Sequence, residues 1–189
     1  CSSDLPHPFV LFLGRLNFIK GPDLLLEAFC KGGNLWPDWH LVFAGPDGGL
    51  EKMLKKTAKS SSISDRIHFV GYVGEGDKSK FYHAANLLVI PSRQEAMSIV
   101  VLESGISGTP VLITNQCGFN DVGNVRGGIV TNATVEGLYG AMIDLLKDVD
   151  DLKRMGIELK KFVQNNYTWD NTVKKYVALY SKLLNKNLI

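Results

Sequence analysis

The sequence predicts an α/β domain, a doubly wound, Rossmann-like parallel sheet with helices on both faces. Three observations carry that prediction. Short β-rich runs alternate with amphipathic helical stretches from end to end, the pattern of βα units laid side by side. Most of the β runs are continuously apolar rather than alternating, as in Phe9-Val-Leu-Phe-Leu13 and Leu87-Leu-Val-Ile90, which is what strands covered on both faces require. The chain has 189 residues, 45% hydrophobic and 21% charged. At such a length a domain hides about 70% of its extended-chain surface, so a core forms without disulfides or metal staples. Residues 1–189 read as a single domain that closes with a helical extension at 150–189.

Taken in order, strands are expected at 10–16, 40–45, 66–73, 87–92, 110–115 and 128–132. Helices fall between them at 22–31, 50–60, 77–85, 98–107 and 135–147. Pro22 suits a first helical position, where its missing N–H costs nothing, and Thr134 is a plausible N-cap. Two more helical stretches follow at 152–165 and 169–184. In the last, Val173, Tyr176, Val177, Tyr180, Leu183 and Leu184 recur at helical spacing as one apolar stripe that calls for a partner. The opening residues 1–8 read as a linker, and without an initiator Met the sequence reads as a fragment.

Composition narrows the function. Lys+Arg number 21 against 19 Asp+Glu, a net charge of +2, too weak a field for generic nucleic-acid or membrane-surface binding. Any anion site is therefore local. The cysteines Cys1, Cys30 and Cys117 form no CxxC pair and have no His at metal-ligand spacing, so the chain reads as reduced, cytoplasmic and metal-free. Its apolar runs are strand-sized, far below the roughly 18 residues of a membrane span, and no secretory signal opens it.

Folds of this class bind ligands outside the carboxyl ends of their strands, so chemistry is expected in the loops after Leu16, Gly45, Val73, Ser92 and Asn115. The first loop region reads Gly14-Arg15-Leu-Asn-Phe-Ile-Lys20-Gly21-Pro22-Asp23. An arginine fork, a mobile lysine and the free N–H groups of a helix start together suit a diphosphate. The alternative at this point is a pair of solvated loop charges.

A second loop, Pro91-Ser-Arg-Gln-Glu95-Ala-Met-Ser98, leads into a helix containing Glu103. Glu95 and Glu103 are the only acids from Leu87 to Asn120, and the residues between and after them carry no charge until Asp121. A carboxylate on so apolar a helix costs several kcal/mol to bury unpaired, so it needs a partner. A sugar diol is one candidate, since a single carboxylate accepts from two vicinal hydroxyls as it does on the ribose of dinucleotide folds. An ion pair with Arg93 or Arg126 is the other. Ser98 is placed to cap the helix, leaving the N–H groups of Met97, Ser98, Ile99 and Val100 near a bound phosphate.

These motifs resemble a known family. Phe12-Leu-Gly-Arg15, Lys20-Gly-Pro-Asp-Leu-Leu-Leu-Glu-Ala-Phe29, His40-Leu-Val-Phe-Ala-Gly45, Ile67-His-Phe-Val-Gly71 and Pro91-Ser…Glu95…Leu102-Glu103…Gly108-Thr-Pro-Val111 are similar, in order, to the donor-binding half of the retaining GT-B glycosyltransferases of group 1. The resemblance covers nearly the whole chain. It implies the C-terminal domain of an enzyme that takes a sugar from a nucleoside diphosphate donor, with no metal or other cofactor. Arg15 and Lys20 would bind the diphosphate, Glu95 would face the transferred sugar, and Glu103 the ribose. Main chain at Gly71 to Val73, including Tyr72, would receive the base. The acceptor, a sugar or glycolipid, would be held by an N-terminal domain outside this sequence, with the full enzyme in the cytoplasm or at the cytoplasmic membrane face. The closing helix would pack on that domain or form a dimer, and the chain alone would transfer negligible sugar.

Departures and weaker signals complete the reading. Where members of that family often carry glycines, this chain has Ala96-Met97-Ser98, and the family's Gly-Gly pair appears as Cys117-Gly118, where Cys117 reads as packing rather than a nucleophile. Gly71-Tyr-Val-Gly-Glu-Gly76-Asp77-Lys78-Ser79 nearly reproduces a P-loop, but Asp77 displaces the lysine. Asp148-Val-Asp150 reads as a solvated acidic turn, the histidines His7, His40, His68 and His83 as isolated, and Trp36, Trp39 and Trp169 as packing anchors. Two rival classes are a non-catalytic nucleotide-binding module, disfavoured by the joint presence of Arg15, Lys20, Glu95 and Glu103, and a dehydrogenase, which lacks GxGxxG after the first strand.

Overall fold

The computed structural model describes residues 6–186. Six strands, β1 (Phe9–Leu13), β2 (His40–Ala44), β3 (Ile67–Gly71), β4 (Leu87–Ile90), β5 (Val111–Thr114) and β6 (Gly128–Thr131), form one sheet in the order β3-β2-β1-β4-β5-β6. Every pairing is parallel. The connecting helices are α1 (Pro22–Lys31), α2 (Glu51–Lys59), α3 (Glu75–Ala84), α4 (Ile99–Ser107), α5 (Asp121–Asn124) and α6 (Val135–Leu145), followed by α7 (Val149–Asn166) and α8 (Trp169–Lys186).

Consecutive strand residues feed opposite cores. Val10, Phe12, Leu41, Phe43, Leu87 and Val89 join the side chains of α1, α2 and α6. Phe9, Leu11, Val42, Ala44, Leu88 and Ile90 join those of α3, α4, α5 and α7. This is the physical reason for the unbroken apolar runs: the pleat sends each residue to one face or the other, and both faces are covered. Each fully buried Leu or Phe contributes about 1.5–3 kcal/mol relative to exposure.

The strands end earlier than the sequence predicts, because the chain leaves the ladder to build loops. Gly14 donates to the Ala44 carbonyl at 2.9 Å and Leu16 to that of Pro46 at 3.0 Å, so residues 14–16 lie along the neighbouring loop instead of extending β1. The predicted cap holds: Thr134 accepts from the Gly137 N–H at 3.0 Å. Helix α7 starts earlier than expected because Asp148 accepts from the N–H groups of Asp150 and Asp151, making the acidic turn a helix cap. The short α5 and a 3-10 turn at Ser64–Arg66 were not legible in the sequence.

Two expectations are corrected. His40 and His68 are not isolated: neighbouring strands bring His40 Nδ1 to 3.0 Å from His68 Nε2, near the amino ends of β2 and β3. Trp169 is no packing anchor, being 84% exposed at the start of α8. Trp36 and Trp39 are buried as expected. The α8 stripe of Val173, Tyr176, Val177, Tyr180, Leu183 and Leu184 lies exposed. Cys1 and most of the opening linker lie outside the described residues.

Candidate active site

The strand order reverses between β1 and β4, and the loops leaving these two strands part there to open a cleft of about 310 Å³. A parallel sheet places its ligand crevice at such a switch point, outside the carboxyl ends of the strands. Arg15 and Lys20 reach the cleft from the β1–α1 loop, Gly45 and Pro46 from the end of β2, Tyr72 and Val73 from that of β3, and Ser92 and Glu95 from that of β4, with Val100 and Glu103 on α4. Six of the residues singled out in the sequence therefore meet at one place.

The β1–α1 and β4–α4 loops are strapped together. The Arg93 guanidinium donates to both carboxylate oxygens of Asp23, at 2.8 and 2.6 Å, and to the Phe18 carbonyl at 2.7 Å, and lies 3.9 Å above the Phe18 ring. Arg93 N–H donates to the Ile19 carbonyl at 2.8 Å. Gly21 makes the close approach possible: its φ of +66° is left-handed, and a Cβ there would lie 2.2 Å from the Pro91 carbonyl oxygen.

Within this frame Lys20 Nζ donates to Glu95 Oε1 at 2.6 Å and Ser92 Oγ to the same oxygen at 2.7 Å. Burial pushes the Glu95 carboxyl up, but the hydrogen bonds from Lys20 and Ser92 and the lysine charge outweigh it, so the group sits below the usual glutamate range. It is ionised at neutral pH. Arg15 is exposed at the mouth of the cleft.

Glu103 pairs with neither Arg93 nor Arg126. Arg93 is committed to Asp23, and the partner of Glu103 is Tyr82 on α3, whose hydroxyl donates to Glu103 Oε2 at 2.6 Å. Sequence reasoning missed this contact, because nothing in the spacing of residues 82 and 103 marks two helices as neighbours. It also missed Lys78, seen only as part of a failed P-loop, which lines the cleft. The P-loop fails for a structural reason: α3 begins at Glu75, so Gly76, Asp77 and Lys78 are helical and form no phosphate nest.

Three expected residues contribute no side chain to the cleft lining. Met97 and Ile99 point outward, 42% and 65% exposed. Ser98 does not cap α4; its hydroxyl is buried without a hydrogen-bond partner, although it lies near enough to Glu95 to favour the ionised carboxylate. The start of α4 consequently has no side-chain cap. Cys117 is fully buried, its thiol against the Ile90 carbonyl and the Thr114 hydroxyl, and burial raises its pKa, as packing requires and nucleophilicity does not. Among the described residues, no three His, Cys, Asp or Glu side chains converge as a metal site, and no helix is long and apolar enough to cross a membrane.

Residues 2–162 match the family model for glycosyl transferases group 1. The chain belongs to that family. Among curated group 1 relatives, it is 31% identical over 179 residues to the D-inositol 3-phosphate glycosyltransferase of Corynebacterium urealyticum, a match covering 91% of this chain and 42% of that protein. The chain thus spans less than half the length of that relative. Among solved structures, the C-terminal domain of the group 1 family protein LpcC from Francisella tularensis superposes with a TM-score of 0.80 at 19% identity, over 88% of this chain and 90% of that one. The Anabaena protein Alr3699/HepE, solved in complex with UDP and glucose, superposes with a TM-score of 0.78 at 18% identity, over 92% and 48%. These similarities establish the GT-B-type α/β fold of this group 1 glycosyltransferase chain.

Proposed function

We propose that this chain is the donor-binding domain of a retaining glycosyltransferase, holding a nucleoside diphosphate sugar at the β1/β4 switch point for transfer to an acceptor bound elsewhere in a longer protein. The observation that carries this reading is the convergence of Arg15, Lys20, Glu95, Glu103, Tyr72 and Val73, from four separate loops and helices, on one cleft. The UDP and glucose held by the Anabaena neighbour support uridine nucleotides as the first donors to test.

In this reading Arg15 and Lys20 cradle the diphosphate, joined by the N–H groups of Met97 and Ile99 at the uncapped start of α4; the Ser98 N–H, expected to join them, donates instead to the Cys117 carbonyl at 3.2 Å. Their charge does most where it counts, since the diphosphate gains negative charge as the sugar–phosphate bond breaks, and a cation held in place lowers that transition state more than the ground state. These two side chains carry the role that a metal plays in other transferases, so the reading includes no metal. Glu95, ionised and accepting from Lys20, faces the sugar hydroxyls; Glu103 accepts from the ribose; the backbone at Tyr72 and Val73 receives the base. The exposed α8 stripe packs on the acceptor-binding part of the full protein or on a second copy. The unpaired thiols of Cys30 and Cys117 fit a reducing cytoplasm, with the full enzyme acting there or at the membrane's inner face.

Equilibrium binding of UDP and UDP-glucose to the chain, with and without a chelator, tests this. The expected result is binding of both that the chelator leaves unchanged, with no sugar transferred to added acceptors. Binding abolished by the chelator, or transfer by this chain alone, contradicts the reading.

A further inference from the structure

Glu103 is the only acid on α4, and its hydrogen-bond partner is a neutral phenol rather than a cation. That difference has chemical weight. A lysine or arginine at the same place would neutralise the carboxylate, whereas a phenol holds one oxygen in position and leaves the negative charge available to a ligand.

Tyr82 is built to hold still. The residue is 2% exposed, and its backbone carbonyl accepts from the Thr109 hydroxyl at 2.5 Å, so its main chain and its hydroxyl are both held. Burial, with the adjoining carboxylate, pushes the phenol well above its usual pKa, keeping the proton on the tyrosine as a donor. Glu103 forms part of two surfaces: the cleft already described, and a separate groove of about 360 Å³ between α3 and α4 that Lys78 also lines. Tyr82 lines the groove and not the cleft. It therefore grips the carboxylate from behind, with Oε2 engaged and Oε1 uncommitted.

We infer that Tyr82 is a positioning residue for ribose recognition, orienting the Glu103 carboxylate to accept from the two vicinal hydroxyls of a nucleoside diphosphate without touching the nucleotide itself. The inference rests on the donor-site reading above.

The test compares the nucleoside diphosphate that the chain binds, found among UDP, GDP and ADP, with its 2′,3′-dideoxy analogue. Wild type, Tyr82→Phe, Glu103→Gln and the double variant are titrated with each, and thermal unfolding reports whether each variant is folded. Tyr82→Phe is expected to weaken the ribonucleotide about tenfold, the scale of one mispositioned charge-assisted contact, and to leave the dideoxy analogue unchanged. In a Glu103→Gln background the same substitution is expected to have little further effect, because Tyr82 acts only through that carboxylate. Equal weakening of both ligands makes Tyr82 a structural brace and overturns the inference, as does an unchanged ribonucleotide affinity. If wild type binds none of the three nucleotides, the donor reading itself fails and takes the inference with it. A wild type that binds a nucleotide but ignores the loss of its ribose hydroxyls overturns the ribose role alone.

Discussion

Lys20 and Glu95, 75 residues apart in sequence, form an ion pair at 2.6 Å across the cleft. The cation proposed for the diphosphate and the carboxylate proposed for the sugar thus hold each other before any ligand arrives. The glutamate side chain is 9% exposed and the lysine 36%, so the lysine is the member that an incoming anion can reach. Donor binding has to share or redirect Lys20, which couples the diphosphate and sugar subsites through one contact.

That coupling predicts that two substitutions part ways. Lys20→Ala should weaken a bare nucleoside diphosphate by about ten- to a hundredfold. Glu95→Gln should leave it unchanged or strengthen it by up to about fivefold, since a lysine freed from a partly exposed ion pair is gained by the phosphate. The same Glu95→Gln change should weaken the nucleotide sugar. Calorimetric titration of both variants with both ligands checks this, and parallel losses in the two variants for the bare diphosphate would contradict it.

The Arg93–Asp23 strap makes a stability prediction. Arg93→Lys keeps the charge but loses the two-pronged contact and the stacking on Phe18, and should cost about 1–2 kcal/mol in urea unfolding. Of this strap, the loops bearing Lys20 and Glu95 keep only the main-chain bond from Arg93 N–H to the Ile19 carbonyl and are held more loosely, so nucleotide affinity should fall with it. A lysine variant as stable as wild type would show that the strap contributes nothing.

The His40–His68 pair predicts a pH dependence separate from the cleft. Burial lowers both rings from the usual value of 6.5; the Arg66 charge adds to this at His40, the neighbouring His40 ring does so at His68, and Asp65 opposes it at both. With the folded values depressed, the unfolded chain binds protons first as pH falls below 6.5, so stability present above that pH is lost on descending through the folded values. Urea unfolding between pH 7.5 and about 5 should show this fall, and His68→Gln should flatten it. An unchanged slope in the variant would assign the pH dependence elsewhere.

The fold was legible because its signal is repeated: the central strands β1, β2, β4 and β5 are short apolar runs covered on both faces, and the half-buried edge strands β3 and β6 keep the same alternation with helices. Element ends were less legible, since Gly14 and Leu16 leave their ladder for a neighbouring loop that no local pattern announces. In the site, Glu95 and Glu103 stood out because charges are scarce around them, and Arg15 and Lys20 because two cations lie in one strand-to-helix loop whose motif resembles the family's. Their contacts did not. Tyr82 reads as one more aromatic on a helix, and Arg93 as a candidate partner for Glu103, until the sheet order sets α3 beside α4 and one loop against the other. Ser98 misled for a related reason: it has the chemistry of a cap and the position of one, but its hydroxyl turns into the interior.

The most direct test of the donor site is calorimetric titration of the chain with UDP, GDP and ADP, repeated for Arg15→Ala and Glu103→Ala. The account predicts that one nucleotide binds at a single site and that each substitution weakens it by about ten- to a hundredfold, the scale of a lost charge-assisted contact. Absence of binding by all three, or binding that both substitutions leave intact, would contradict it.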